Sequence, residues 1–133
     1  MTKLLISGTA GQGIQFLGRI LANILKDQGF KIALIYQYDA FVRGGESNMH
    51  LVFSKQQIDN PIIEKADLEY NLKDKKLQSN LLSRYNNPQI MNMTLLGVIL
   101  KKLKIRLKDK EIEKYLPQRF KEINLQALKA GYK

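Results

Sequence analysis

The hydrophobic and polar positions of the N-terminal half switch between the period of a strand and that of a helix. The apolar run at 3–6 predicts a short strand. Apolar residues then recur at helical spacing between 14 and 28, with Gly18 on the same face, where a small residue lets a helix lie close to a sheet. A second apolar run at 31–36 predicts a buried parallel strand. This order predicts a βαβ unit whose two strands end at one edge of the sheet.

The next segments extend the sheet less clearly. Apolar residues alternate over 48–54, with Met49, Leu51 and Phe53 on one face, which predicts a third strand. The segment 67–72 stands where a fourth buried strand would follow, but it is too polar for one. These patterns predict an α/β fold: a three-layer, Rossmann-like domain with a short, mainly parallel sheet and a helical C-terminal part.

Helical periodicity dominates the C-terminal half. Helices are predicted over 73–85, over 93–103 with Gly97 allowing a close approach, and over 119–130. Asp109 predicts the N-cap of a further short helix. Gly131 predicts the end of the last helix. The residues of the last helix predicted to face inward are Phe120, Ile123, Ala127 and Leu128.

Length and composition favour one soluble globular domain over residues 1–133, with a glycine-rich half at 1–67 and a mostly helical half at 68–133. The absence of cysteine and the single histidine exclude disulfides, cysteine-ligated iron–sulfur clusters and multi-histidine metal sites. No apolar run is long enough to span a bilayer, and the N-terminus does not resemble a secretory signal. We therefore expect a cytoplasmic protein without a membrane partner.

The net charge of +10 is unevenly distributed. Residues 1–67 carry seven Lys or Arg against six Asp or Glu, whereas residues 68–133 carry fifteen against six. The densest stretch is 101–110, with six cations in ten residues. This stretch is either a solvated helix face or a surface for an acidic partner or polyanion. It has no interleaved aromatic residues for base stacking, which disfavours nucleic acid.

A glycine-rich turn joins the first strand to the first helix. Residues 7–13 read Ser-Gly-Thr-Ala-Gly-Gln-Gly, and such a junction directs backbone N–H groups and the helix dipole at one small volume. We expect Gly8, Gly11, Gln12 and Gly13 to bind a phosphate there, the alternative being a tight turn without a ligand. Alanine replaces the second glycine of the dinucleotide fingerprint, and no acidic residue ends the second strand, so a standard NAD site is disfavoured.

A second glycine cluster, Arg43-Gly44-Gly45, follows the second strand and is expected at the same sheet edge. Arg43 could supply the charge partner for an anion, while Gly44 and Gly45 allow close packing; the alternative is a surface arginine. Asn92 is interpreted as a helix cap or as a residue that faces the glycine loops and contributes to cofactor binding there. His50, within a strand, is interpreted as structural. No catalytic or metal-binding arrangement is evident, so the pattern indicates a binding or docking module.

Taken in order, these motifs point to one family. The glycine turn at 8–13, the tyrosine-led Arg-Gly-Gly segment at 38–47 and the Ile…Pro…Ala-Asp stretch at 58–67 follow one another along the chain. The segments 92–97 and 124–132 complete the pattern. In this respect the sequence resembles the gamma subunit, or gamma domain, of 2-oxoacid:ferredoxin oxidoreductases, which act on pyruvate, ketoisovalerate or 2-oxoglutarate.

The resemblance implies a non-redox subunit of an enzyme that decarboxylates a 2-oxoacid oxidatively to an acyl-CoA and reduces ferredoxin or flavodoxin. It implies alpha and beta partner subunits, with a delta subunit as a further candidate, that hold thiamine diphosphate and iron–sulfur clusters. Coenzyme A carries phosphates that the glycine turn and Arg43 could bind; alternatively, the Arg-Gly-Gly segment docks a partner subunit. The alternative function is a freestanding Rossmann-like module that binds a nucleotide or phosphate.

Overall fold

The computed structural model describes residues 1–9, 11–39, 46–58 and 65–133, with the backbone alone at 38 and 39. The chain forms two compact units, Met1–Asp74 and Lys75–Lys133. The boundary between them falls a few residues after the change in composition at 67/68. Within the described ranges, no helix is long and apolar enough to cross a membrane.

The first unit is built on a four-stranded sheet. Its strands are β1 (Thr2–Thr9), β2 (Lys31–Asp39), β3 (Glu46–Ser54) and β4 (Leu68–Asn71). The spatial order is β2-β3-β1-β4. Strand β3 runs antiparallel to both of its neighbours, whereas β4 runs parallel to β1. The sheet therefore contains two antiparallel pairings and one parallel pairing.

The predicted α/β class is confirmed, but the prediction of a mainly parallel sheet is wrong. Only six residues separate β2 from β3, and so short a connection can join antiparallel neighbours but not parallel ones. Strand β3 therefore lies between β1 and β2 and separates them. Strands β1 and β2 still run in the same direction, because both are antiparallel to β3, and Thr9 and Asp39 both pair with Glu46. Their C-terminal ends thus meet at one edge, as predicted.

Strand β4 occupies the segment that was expected to be too polar for a buried strand, and none of its four residues is fully buried. It lies at the edge of the sheet, where it pairs only with β1. Leu68 and Tyr70 are half-buried, whereas Glu69 and Asn71 are exposed. An edge strand accepts such polar residues because one side of it faces away from the sheet, and charged residues there discourage further strand pairing.

The helix α1 (Ile14–Asp27) packs on one face of this sheet through a small residue. A Cβ atom added at Gly18 would lie 2.5 Å from the Tyr36 hydroxyl and would overlap the Met49 sulfur. The predicted close approach of helix and sheet at Gly18 is therefore confirmed. The residues that α1 buries are Ile14, Leu17, Gly18, Ile20, Leu21, Ile24 and Leu25.

The second unit consists of helices, as predicted. They are α2 (Lys75–Arg84), α3 (Met91–Lys102), α4 (Asp109–Glu113) and α5 (Lys121–Tyr132), with a 3-10 turn at Pro88–Ile90. Helix α3 is buried along most of its length and packs closely against α5.

Two glycines bring α3 and α5 together. A Cβ atom at Gly97 would overlap the carbonyl oxygen of Leu128, and one at Gly131 would overlap that of Thr94. The predicted close approach at Gly97 is confirmed. The prediction that Gly131 ends the last helix is wrong, because α5 continues to Tyr132 and uses Gly131 as a contact with α3.

The ends of α4 and α5 correct three further predictions. Phe120 and Ile123 were expected to face inward, but they are 60% and 39% exposed. Phe120 precedes the first residue of α5 in a left-handed conformation with φ of 60°. Asp109 is the first residue of α4, not its N-cap. Its carboxylate pairs with Lys129 Nζ at 3.0 Å.

Candidate functional site

The glycine turn after β1 uses backbone conformations that favour glycine. Gly11 has φ of 92° and Gly13 has φ of 74°, both in the region that L side chains disfavour. The N–H of Gln12 donates to the carbonyl of Thr9 at 3.2 Å and closes the turn. Gly13 is the N-cap of α1. The turn therefore delivers the chain from the end of the strand into the first turn of the helix.

The side chain of Gln12 ties this turn to two strands. Its Oε1 accepts a hydrogen bond from the Thr9 N–H at 2.7 Å, and its Nε2 donates to the Leu72 carbonyl at 3.0 Å. Leu72 directly follows β4 and is bonded through its own N–H to the carbonyl of Ser7. These contacts make Gln12 a residue that positions the turn, while its role as a direct phosphate ligand stays a prediction.

Gly8 lies buried beneath the turn. A Cβ atom there would lie 2.5 Å from Gln12 Oε1 and 2.6 Å from Ile14 Cδ1. The missing side chain lets the turn fold down onto the end of β1. Gly8 thus supports the site from below, whereas Gly11 and Gly13 line its surface.

We expect the change Gln12→Ala to loosen the turn. The variant loses two hydrogen bonds to backbone groups, each of which contributes about 1 kcal/mol to stability. Urea unfolding followed by circular dichroism should show a loss of about 2 kcal/mol. Gln15→Ala, an exposed change in the first turn of α1, serves as the control and should leave stability within about 0.5 kcal/mol of the parent. Equal stabilities of the two variants would contradict the positioning role of Gln12.

An open pocket of about 440 Å³ lies at the N-terminus of α1. The helix has no side-chain cap and no acidic residue in its first turn. The first of its internal backbone bonds runs from Leu17 to Gly13, so the preceding N–H groups have no acceptor inside the helix. Together with the helix dipole, these donors suit an anion. The lining includes Thr9, Gly11, Gly13, Ile14, Arg19 and Ser47.

Arg19 and Ser47 also line this pocket, although the sequence did not identify them as site residues. The Arg19 side chain is exposed, and within the described residues it forms no hydrogen bond or ion pair. Ser47 is only 7% exposed, and it lines the same pocket. The pocket therefore joins a guanidinium and a serine hydroxyl to the helix N-terminus.

Tyr36 fixes the first turn of α1 against β2. Its hydroxyl donates a hydrogen bond to the Gln15 carbonyl at 3.0 Å. Burial raises the pKa of Tyr36 above its usual value of 10.0, and the charge of nearby Arg19 offsets part of that rise. The phenol is thus protonated at neutral pH and remains a donor. This bond stabilises the helix turn whose N–H groups line the pocket.

Glu46 is an acidic residue next to Ser47, and its charge would repel an anion. Its carboxylate pairs with Lys73 Nζ at 3.0 Å. Each side chain is 40% exposed, so the pair contributes little to stability. Its effect at this edge is to neutralise the carboxylate.

The remaining candidate residues are placed as follows. Asn92 is the second residue of α3, in the second unit, and its Oδ1 accepts a hydrogen bond from the Met93 N–H at 2.9 Å. The prediction that it caps the helix is wrong, because Ile90 is the N-cap. Arg43, Gly44 and Gly45 lie outside the described residues, so their roles stay predictions.

His50 lies in the middle of β3, opposite Leu5 and Ile35. Its side chain is half-buried. Among the residues that the structure describes, no group of three or more His, Asp or Glu side chains is placed to hold a metal ion.

Three solved structures share the fold of this chain. The gamma subunit of keto/oxoacid ferredoxin oxidoreductase from Geobacter sulfurreducens matches with a TM-score of 0.65 and 17% identity, over 99% of this chain and 96% of that one. The pyruvate oxidoreductase subunit PORC from Thermotoga maritima matches with a TM-score of 0.66 and 19% identity, over 98% and 94%. The 2-oxoglutarate:ferredoxin oxidoreductase from Magnetococcus marinus, solved with 2-oxoglutarate, coenzyme A and succinyl-CoA, gives a TM-score of 0.79 and 14% identity. That match covers 98% of this chain but 30% of the other.

The family is established by sequence. No curated protein matches the chain significantly. The profile of the pyruvate ferredoxin/flavodoxin oxidoreductase family matches residues 3–81, which include all of the sheet but Thr2, together with α1 and the glycine turn. The resemblance inferred from the ordered motifs is thereby confirmed. Since the match spans more than half of its length, this chain belongs to the pyruvate ferredoxin/flavodoxin oxidoreductase family.

Proposed function

We propose that this chain is the gamma subunit of a cytoplasmic 2-oxoacid:ferredoxin or flavodoxin oxidoreductase. Its membership of the family supports this role, as does a fold shared with nearly the whole of the Geobacter gamma subunit. A sequence without cysteine cannot supply the usual thiolate ligands of an iron–sulfur cluster. On this proposal the chain is a non-redox subunit, and thiamine diphosphate and the clusters belong to alpha and beta partners, with a delta subunit as a further candidate.

The pocket at the N-terminus of α1 is the observation that carries the functional part of the proposal. We infer that it receives a phosphate group of coenzyme A, the co-substrate that takes up the acyl group. The backbone N–H groups of the first helical turn, the Ser47 hydroxyl and the Arg19 guanidinium would hold the phosphate from three sides. These groups bind and orient the co-substrate, and no chemical step is assigned to them.

Assembly is the first test of the proposal. The full chain, carrying a small affinity tag, is purified from its native host under mild conditions. We expect larger subunits that contain thiamine diphosphate and iron–sulfur clusters to copurify with it in a fixed ratio. Purification of the chain alone, at a salt concentration that preserves known complexes of this class, would count against a subunit role.

Arg43 is tested in the assembled complex, because its expected role comes from the sequence. Loss of a charge-assisted contact with a phosphate is expected to raise the KM for coenzyme A about tenfold in Arg43→Ala, with the fold intact. Arg119→Ala, which removes an exposed arginine of the second unit, is the control. An unchanged KM together with weaker assembly would assign the Arg-Gly-Gly segment to subunit docking instead.

The alternative function, a freestanding nucleotide-binding module, makes a different prediction. Calorimetry of the isolated chain with coenzyme A, NAD and ATP separates the two functions. Tight binding of one of these ligands by the isolated chain favours the module. Weak binding that becomes tight after assembly favours a subunit whose site is completed by its partners.

A further inference from the structure

The second unit contains an apolar pocket that the proposed function does not use. It lies between the C-terminal ends of α3 and α5 and the short helix α4, and its volume is about 250 Å³. This is small for a cofactor but large enough for one bulky apolar side chain. The apolar residues that line it are Leu100, Ile105, Leu107, Ile112, Leu128 and Tyr132.

A pair of backbone hydrogen bonds ends α3 and positions the segment that forms one wall of the pocket. The Ile105 N–H donates to the Leu100 carbonyl at 2.9 Å, and the Lys104 N–H donates to that of Lys101 at 3.0 Å. This arrangement needs a left-handed residue between helix and wall, usually glycine. Lys104 holds that position with φ of 60°. The sequence thus keeps a cation where the backbone favours glycine, which is the kind of local strain found at functional surfaces.

The chain leaves this turn with an alternating pattern. Ile105 and Leu107 are half-buried and line the pocket, whereas Arg106 and Lys108 are exposed. All six cations of the 101–110 stretch are exposed. In the pocket lining, the apolar Ile105 and Leu107 flank Arg106. The other charged residues of the lining are Lys129, Lys133 and Asp109.

The charge of the protein is concentrated in this unit. The first unit has eight Lys or Arg and eight Asp or Glu, and its formal net charge is zero. The second has fourteen against four, so it carries the entire net charge of +10. In the second unit, Lys129 pairs with Asp109. The excess of like charge on this unit is unfavourable, and an acidic partner would relieve that repulsion.

We propose that this pocket and its basic rim bind an acidic segment of a partner protein that inserts one apolar side chain. The apolar lining requires an anchor that a nucleic-acid backbone lacks. The cations of the lining, Arg106, Lys129 and Lys133, together with the exposed cations of the adjacent 101–110 stretch, outnumber the single charge of a small amphiphile's head group. An acidic peptide with a leucine, isoleucine or aromatic residue at its centre satisfies both requirements. This inference does not rest on coenzyme A binding at the other unit.

The test selects the ligand chemistry without assuming it. A library of random 12-residue peptides displayed on phage is panned against the full chain at physiological salt. We expect the enriched peptides to carry several Asp or Glu residues around a single large apolar residue. For the best peptide, replacing that apolar residue with serine should weaken binding at least tenfold, because the pocket then stays unfilled.

Protein variants locate the binding site. Arg106→Glu reverses one rim charge on an exposed side chain and should weaken peptide binding about tenfold, with a shallower salt dependence. Lys75→Glu makes the same charge change on α2, away from the pocket lining, and should change binding less than twofold. Circular dichroism melts verify that both variants are folded.

Several outcomes would overturn the proposal. Enriched peptides without an acidic excess would contradict the proposal that this pocket binds an acidic segment. Equal effects of Arg106→Glu and Lys75→Glu on peptide binding would contradict it as well. Octanoate that displaces the peptide and binds the parent but not Arg106→Glu would assign the pocket to a small anionic amphiphile. Retention of single-stranded DNA that Arg106→Glu abolishes, with no peptide enrichment, would assign the surface to nucleic acid.

Discussion

Gly97→Ala is expected to destabilise the helical unit strongly. The added Cβ would overlap the Leu128 carbonyl oxygen, a backbone atom that cannot rotate away. Overpacking of this kind costs about 3 kcal/mol or more, while the better helix propensity of alanine returns about 1 kcal/mol. The net loss of about 2 kcal/mol or more should appear in urea unfolding and in faster amide exchange along α3 and α5.

Two further variants make this expectation specific. Gly131→Ala should behave in the same way, because its Cβ would overlap the Thr94 carbonyl oxygen on the facing helix. Ser79→Ala, on the exposed side of α2, changes helix propensity without a steric conflict and should be neutral or slightly stabilising. If Gly97→Ala proved as stable as Ser79→Ala, that result would contradict the close approach of α3 and α5 at Gly97.

These glycines also show what a sequence pattern can predict. Helical periodicity located α3 and α5, and a glycine on the buried face correctly indicated a close approach at Gly97. Gly131 has the same role, but its position near the end of a periodic segment is also typical of a helix stop. Whether Gly131 ends the helix or contacts α3 depends on which residue of α3 lies opposite it. The tertiary structure determines that residue, and the sequence pattern does not show it.

The sheet illustrates the same limit. Periodicity identified three strands and the edge where β1 and β2 end, but the apolar run of β2 did not reveal that β2 is an edge strand with an antiparallel neighbour. The short connection between β2 and β3 was the available signal for antiparallel pairing. Strand β4 carries almost no hydrophobic signal, because it lies at the edge and pairs only with β1.

The candidate site was predictable where it is local in sequence. The glycine turn and the helix that follows it form one continuous segment, and their anion-binding geometry follows from backbone donors alone. Ser47 joins the site because it pairs with Gly8 across the sheet, a register that the sequence does not reveal. Arg19 joins it because its position on α1 places it in the pocket lining. A cation shortly after a glycine turn is a sequence signal that could have indicated this residue.

Arg19→Glu is the sharpest functional test of that pocket and is expected to cause the largest kinetic change. A charge-assisted contact with a phosphate contributes about 1.5–3 kcal/mol, and the new carboxylate would add repulsion. In the assembled enzyme, kcat/KM for coenzyme A should fall about thirtyfold, which corresponds to about 2 kcal/mol. The change should lie mainly in KM, because the phosphate is remote from the reacting thiol and contributes uniform binding.

The controls separate a contact from a general field effect. Lys26→Glu reverses an exposed charge at the other end of the same helix and should change KM less than twofold. Arg19→Lys keeps the charge but loses the forked guanidinium, so an intermediate effect is expected. Because Arg19 is exposed, high salt should narrow the gap between Arg19→Glu and the parent enzyme. Equal effects of Lys26→Glu and Arg19→Glu on KM would show that Arg19 acts only through the general charge of the protein. That result would contradict a direct contact between Arg19 and the phosphate.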